Sequence, residues 1–450
     1  MTQAVLFDAV SSVGDRRSTA ITARGGTWTF QDLLGAAERY ARRLPDGVVN
    51  LRVHHPVATA VVLLACDLVG TPVIHEDPET THPATGEIIT DVPSSEAKVQ
   101  DVFEDLSLRH VPVAGGGAPP NLPERAHVFY TSGSVGAPTG VVRSIGAVLA
   151  DGRRVAEFLS YGAENPVAVC APLFHVYGFN YGLVAALVTG TPTRHIPVRS
   201  VPSQLAREVG AHRARTLIAL PAHYRLLAAA PGLSLPTLQR AVSAGAPLSE
   251  GTADTLRKRA SFTLLNCYGS SEAGAVTLAP ALVDTALVGQ PLPGVRTRLE
   301  RVAEGEELLL GTDSLATGRL GPDGFRPLDL DEGWYRTGDL VRSTSPGLRI
   351  VGRRSSVINV GGEKVSPTEV ESVLGSHPAV EEVQVLPEEH DAYGQVPVAR
   401  VVLRSPVPVG ELVGWCREHL TAHQVPRRID LVPEIPRSVT GKILSDANRE

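Results

Sequence analysis

Five short apolar runs, at 126–131, 167–171, 216–220, 240–243 and 262–266, are separated by longer segments of helical periodicity. Such alternation leaves few folds open, because strands buried on both faces need helices to cover them. It predicts an α/β architecture containing a parallel sheet. Upstream, a helical pattern starts at Trp28 and continues through Leu33, Leu34, Ala37 and Leu44, with Gln31 and Asp32 near its beginning. The apolar stretch 57–74 is the best membrane-span candidate, but it carries Asp67 and Gly70 and reads better as a buried helix leading into a strand. Residues 77–97, rich in Pro, Thr, Ser and Glu, read as a surface loop, and Gly115-Gly116-Gly117 as a flexible connection.

At 450 residues the chain exceeds what one hydrophobic core usually supports. Its character changes near residue 350, where a strand at 348–351 gives way to a polar stretch at 352–356. A helix at 367–375, strands at 380–386 and 396–403 and a helix at 409–422 follow. The expected organisation is a large N-terminal domain of α/β subdomains with mixed sheets, residues 1–351, and a small mobile α+β domain, residues 352–450.

A net charge of −6 gives no case for nucleic acid or an anionic membrane as the main partner. Cys66, Cys170, Cys267 and Cys416 are scattered among apolar neighbours without a C-x-x-C pair, so buried reduced thiols are expected rather than disulfides or a metal site. No charged segment followed by an apolar core is visible at the N-terminus, which makes a cytoplasmic protein the expectation.

The strand at 126–131 runs into Tyr130-Thr131-Ser132-Gly133-Ser134-Val135-Gly136-Ala137-Pro138-Thr139-Gly140. Three glycines leave backbone N–H groups free to converge on an anion, and four Ser and Thr hydroxyls add donors. The G-K-[ST] ending of a P-loop is missing. Taken alone the string fits a phosphate cradle or an ordinary flexible loop. It resembles, however, the T-S-G-S-T-G-x-P-K-G signature of the adenylate-forming superfamily: acyl- and aryl-CoA synthetases, peptide-synthetase adenylation domains and firefly luciferases. Further matching strings follow in that family's order. They are Pro172-Leu173-Phe174-His175-Val176-Tyr177-Gly178, Ser243-Ala244-Gly245-Ala246-Pro247-Leu248 and Tyr268-Gly269-Ser270-Ser271-Glu272. Trp334-Tyr335-Arg336-Thr337-Gly338-Asp339 comes next, then the junction string from Gly352 through Gly361-Gly362, and finally Pro436-Arg437-Ser438-Val439-Thr440-Gly441-Lys442.

The resemblance implies an enzyme that uses ATP and Mg²⁺ to activate a carboxylic acid as acyl-AMP, then passes the acyl group to the thiol of CoA or of a carrier protein's phosphopantetheine arm. It assigns nucleotide contacts to Thr131, Ser132, Gly133, Ser134, Gly136, Gly245, Tyr268, Gly269, Ser271, Asp339 and Arg353, with Asp339 on the ribose hydroxyls and Tyr268 near the adenine. Glu272 would hold Mg²⁺, a hard cation suited to a carboxylate. Lys442 would offset the charge of two anions brought together, and His175 would gate or position. Tyr177, Asn180, His223 and Ala244 are the expected acid-pocket residues, Ser355 the pivot of the small domain, and Gly361 and Gly362 part of a thiol tunnel. Absence of the F-D-x-S pattern argues against an ordinary α-amino acid and favours an aryl or short-to-medium acyl acid. A nucleotide-binding homologue without ligase activity, a stand-alone amino-acid adenylating enzyme and a luciferase-type oxygenase are the rival readings. One departure stands out: Thr139 occupies the usual loop Lys position, so weaker handling of ATP or pyrophosphate is expected.

Overall fold

The computed structural model describes residues 4–435, apart from 81–86, 92–99, 104–105, 107, 113–119, 132–138, 231, 233, 247 and 281–284. Gly115-Gly116-Gly117 therefore lies outside the described residues. The predicted alternation forms the centre of an eight-stranded sheet. Thr263–Ser270, Arg240–Ser243, Thr216–Ala219, Val167–Val169, Thr193–His195 and Thr19–Ala23 run parallel, with Gly274–Pro280 and Gly26–Thr29 as antiparallel edges. The period of two explains why both faces are dry. Ala168, Leu217, Ala241 and Leu264 enter one core with Leu205, Val209 and Tyr224 of the covering helices. Their neighbours Val169, Ile218, Val242 and Leu265 enter the other, against Val155 and Tyr181.

A nine-stranded mixed sheet carries the Gly/Ser loop. Its strands His127–Thr131 and Thr139–Arg143 pair antiparallel with Thr131 opposite Thr139, and Gly318–Gly321 adds on the outer side. The helix at 57–74 is Pro56–Val69, followed by the strand Val73–His75. Among the described residues no helix is long and apolar enough to cross a membrane. Asp67, the residue that interrupts that apolar stretch, is buried and accepts the Leu6 and Phe7 N–H groups at 2.8 Å each, capping the first helix, Val5–Ser11. The helix Phe30–Ala41 begins in a capping box, with Asp32 N–H donating to Thr29 Oγ1 and Thr29 N–H to Asp32 Oδ2.

One expectation is corrected and one sheet was missed. The surface loop read at 77–97 contains a strand, Glu87–Thr90, which pairs with Val49–Arg52 and Leu108–Pro112. The antiparallel sheet of Leu287–Gly289, Arg296–Val302, Gly305–Gly311, Tyr335–Thr344 and Gly347–Arg353 was legible only at its last strand. Its edge strand Arg296–Val302 is charged, and the strand order is set by pairing rather than by an apolar run. Beyond it, Ile358, Val370, Val385, Val401 and Leu412 build a separate small core from the predicted C-terminal elements. All four cysteines are free, three buried and Cys267 half-buried.

Three buried histidines give stability a pH dependence. His75 Nε2 and His127 Nδ1 share a 3.0 Å hydrogen bond beneath Phe129 and Phe179. Burial, with Arg143 adding to it, pushes the His127 imidazole down to about 3. Burial likewise lowers His195 to about 3 and His75 well below its usual value. Below the ordinary imidazole value of about 6.5 the unfolded chain takes up protons that the native state refuses, so stability is full above that pH and falls below it. Each such histidine removes up to about 1.4 kcal/mol per pH unit. Thermal scans are expected to show a flat Tm above pH 7 and a fall between pH 6.5 and 5; a Tm unchanged across that window contradicts this account.

Candidate active site

The carboxyl ends of parallel strands are where open α/β sheets bind ligands, and here they converge on one cavity of about 530 Å³. Val167–Val169 delivers Pro172 to Gly178, Thr216–Ala219 delivers Leu220, Arg240–Ser243 delivers Ala244 and Gly245, and Thr263–Ser270 ends in Tyr268 and Gly269. Two glycines are required by shape. Gly245 turns the chain at φ +90°. A Cβ on Gly178 would lie 2.1 Å from the Pro172 carbonyl oxygen.

Behind the lining residue Tyr268 stands a polar cluster. Asp339, nearly buried, accepts the Tyr268 hydroxyl at 2.6 Å and Arg353 Nε at 2.5 Å. Burial, with the Asp339 carboxylate beside it, holds the Tyr268 hydroxyl protonated well above its usual range. The backbone around Asp339 is fixed in turn: its N–H donates to Thr337 Oγ1, Thr337 Oγ1 donates to the Leu308 carbonyl, and Gly338 N–H donates to Glu307 Oε1. Glu307, 1% exposed, also accepts Arg336 and Arg354 at 2.9 Å each. Sequence reasoning missed Glu307, since a single Glu in a strand carries no signal until the pairing is known.

Another part of the lining is aromatic. Tyr177 and Tyr181 meet edge-on at 4.9 Å; Tyr177 donates to the Val242 carbonyl at 2.6 Å, and Tyr181 lies 2.9 Å from Cys267 Sγ. Burial raises both phenols well above their usual range, so they stay neutral. His175 also lines the cavity, its ring 4.6 Å from that of Phe174.

Several expected site residues stand elsewhere. Asn180 is not a pocket residue: it is fully buried, opens a π-helical turn, and donates Nδ2 to Asp151. His223 is structural as well. Leu220 N–H donates to its Nδ1 at 3.1 Å, and its Nε2 reaches the Val198 carbonyl at 2.6 Å. Burial lowers its basicity, so it holds its place as a neutral imidazole. Gly361 and Gly362 form an exposed turn between Ile358–Val360 and Glu363–Val365, outside the cavity lining. The C-terminal elements that do line the cavity are the helix Pro367–Gly375, through Thr368, Glu371 and Ser372, and the start of strand Val380–His390. Ser355 sits exposed in the short turn Arg354–Ser356. Ser271 lines the cavity, while the next residue, Glu272, pairs with Arg319 at 2.9 Å. Ser132, Gly133, Ser134, Gly136 and Lys442 lie outside the described residues, as does the side chain of Thr131.

A second missed group ties the strand Thr139–Arg143 to the helix Ile145–Phe158. Arg143 and Asp151, both fully buried, lie 3.3 Å apart; Arg143 also donates to the Ser314 carbonyl at 2.9 Å, and Asp151 Oδ1 accepts Ala275 N–H at 2.9 Å.

A model of the AMP-binding enzyme family matches residues 58–313, and a model of the AMP-binding enzyme C-terminal domain matches 369–442. A 2-succinylbenzoate–CoA ligase of Listeria monocytogenes is 26% identical over 96% of each chain. The o-succinylbenzoate CoA synthetase of Bacillus subtilis, solved with its acyl-adenylate intermediate, superposes with a TM-score of 0.82 at 24% identity, covering 99% of this chain and 97% of that one. An amide bond synthetase of Marinactinospora thermotolerans gives a TM-score of 0.81 at 21% identity and 97% coverage of both.

Proposed function

The chain belongs to the AMP-binding enzyme family, and from that membership we propose that it activates a carboxylic acid with ATP and transfers the acyl group to a thiol. The observation that carries the reading is one cavity lined both by Tyr268, which hydrogen-bonds Asp339 behind the lining, and by the aromatic pair Tyr177 and Tyr181. A nucleoside fits the first, with ribose hydroxyls donating to Asp339, and an acid's organic body fits the second.

In the first step the substrate carboxylate oxygen attacks the α-phosphorus and pyrophosphate leaves. In the second the thiol sulfur attacks the acyl carbon, AMP leaves, and the thiol proton goes to solvent. Such chemistry needs positioning and charge compensation more than a protein nucleophile. Among the described residues no group of three or more His, Cys, Asp or Glu could hold a metal ion by itself. The single carboxylate of Glu272 beside the Ser271 hydroxyl nevertheless fits Mg²⁺, which commonly takes one protein carboxylate along with phosphate oxygens and water. When bound, that ion neutralises phosphate charge. The segment from 352 onward turns about Ser355 between the steps, bringing Gly361 and Gly362 to the incoming thiol of CoA or of a carrier protein. A cytoplasmic location belongs to the same proposal.

The lining also speaks to the acid. Among its described residues Arg404 is the sole Lys or Arg, and it stands on the C-terminal unit rather than in the aromatic chamber. The succinylbenzoate of the relatives has a second carboxylate, which that chamber gives no cation to meet. An aryl acid with one carboxylate fits better. Acid-dependent ATP–pyrophosphate exchange is expected to be fastest with substituted benzoates, slower with 2-succinylbenzoate and slowest with α-amino acids. Fastest exchange with 2-succinylbenzoate overturns the assignment of the acid, and absence of exchange with every acid overturns the adenylation reading.

A further inference from the structure

A triphosphate brings several negative charges to the Gly/Ser loop, yet 126–142 contains no Lys or Arg. The next residue, Arg143, is fully buried and engaged with Asp151, so it is closed to a ligand. Beyond Mg²⁺ and Lys442, the pairing shows where the fold offers a further cation. Strand Gly318–Gly321 lies antiparallel to Thr139–Arg143 with Arg319 opposite Val141. Cross-strand partners and residues two apart point to one face of a sheet, so Arg319 and Thr139 share a face as diagonal neighbours, with Cβ atoms about 7–8 Å apart.

Arg319 stands beside the cavity lining, next to Glu272, and remains reachable. Its side chain is 45% exposed, and Nη2 donates to Glu272 Oε1 at 2.9 Å and to the Tyr335 hydroxyl at 3.4 Å. Glu272 follows Ser271 of the cavity lining, and its carbonyl accepts Ala316 N–H at 2.7 Å, tying the two segments together. A planar guanidinium can hold one carboxylate and still offer N–H groups to phosphate oxygens.

We propose that Arg319 is the cation that meets the β- and γ-phosphates of ATP, supplying from the neighbouring strand the charge that Thr139 does not bring. The proposal rests on the adenylation reading above. ATP and AMP differ in just those two phosphates, so titration calorimetry with Mg·ATP and with AMP separates this role from general support of the site. Arg319→Ala is expected to weaken Mg·ATP binding at least about tenfold and to leave AMP binding within about twofold. Adding Thr139→Lys to that variant is expected to restore most of the loss, because it returns a cation to the same face. A defect shared equally by ATP and AMP overturns the proposal, as does an ATP defect that Thr139→Lys leaves untouched. Wild-type protein that binds neither nucleotide overturns the adenylation reading, and this inference with it.

Discussion

Asp151→Ala is expected to cost about 3–5 kcal/mol of folding stability, the range for breaking a buried ion pair by removing one partner. The variant strands a fully buried Arg143 guanidinium, leaves the Ala275 N–H without its 2.9 Å acceptor, and removes the carboxylate that Asn180 meets. Domains of this kind commonly have a total stability of about 5–15 kcal/mol, so much of the variant population is expected to be unfolded or captured as aggregate at 37 °C. The damage does not stay local. Ala275 follows Gly274, which turns at φ +74° and lies so close to Asp151 that a Cβ there would approach Oδ2 to 2.3 Å. That turn fixes where Glu272 stands. Urea denaturation reads the effect as a drop in midpoint, and a shift worth less than about 1 kcal/mol contradicts it. The double variant Arg143→Met with Asp151→Leu separates unpaired charge from lost packing: it is expected to recover a large part of the loss, since apolar pairs of similar volume often replace buried ion pairs at little cost.

The contrast between this pair and the motifs shows what a sequence can reveal. The parallel strands were legible because they are buried on both faces and so read as continuous apolar runs; four of the runs, 167–171, 216–220, 240–243 and 262–266, recur as adjacent strands of one sheet. The C-terminal helix and strands at 367–375, 380–386 and 396–403 were legible for a related reason, since their alternation matches a core they build themselves. Arg143 and Asp151 gave no such signal. Charged residues are ordinarily solvated, and eight positions of separation along the chain say nothing about a 3.3 Å contact. Asn180 was misplaced for a geometric reason: Asn180–Val184 is a π-helical turn, which changes the rotation per residue and directs Asn180 toward Asp151 instead of the cavity. His223 was misplaced because a polar residue near a pocket motif suggests a ligand contact, while two backbone groups had already claimed both its nitrogens. The aromatic chamber was half visible: Tyr177 lay inside a matched string, whereas Tyr181 and Cys267 came together only through folding.

Lys442→Ala is expected to lower the rate of acyl-AMP formation by about 10²–10³, the loss typical when a preorganised charge at a reacting centre is removed. The reaction brings a carboxylate to a phosphate, and a cation placed between the two offsets their repulsion. On the proposed function, Lys442 meets that need when the acid and ATP are both in place. The face which that unit turns to the cavity in this structure is the helix Pro367–Gly375, while Gly361 and Gly362 stand outside the lining. On the same proposal, the unit rotates to present the Gly361-Gly362 turn to the thiol, and Lys442 leaves the carboxylate with it. The two half-reactions should therefore separate. With acyl-AMP supplied ready-made, transfer to CoA by Lys442→Ala is expected to proceed within about threefold of wild type, because the leaving AMP needs no charge from a residue that has moved away. Single-turnover measurements of each half-reaction decide the matter. Equal losses in both would mean that Lys442 supports the fold or serves both steps, and would remove the rotation from the mechanism.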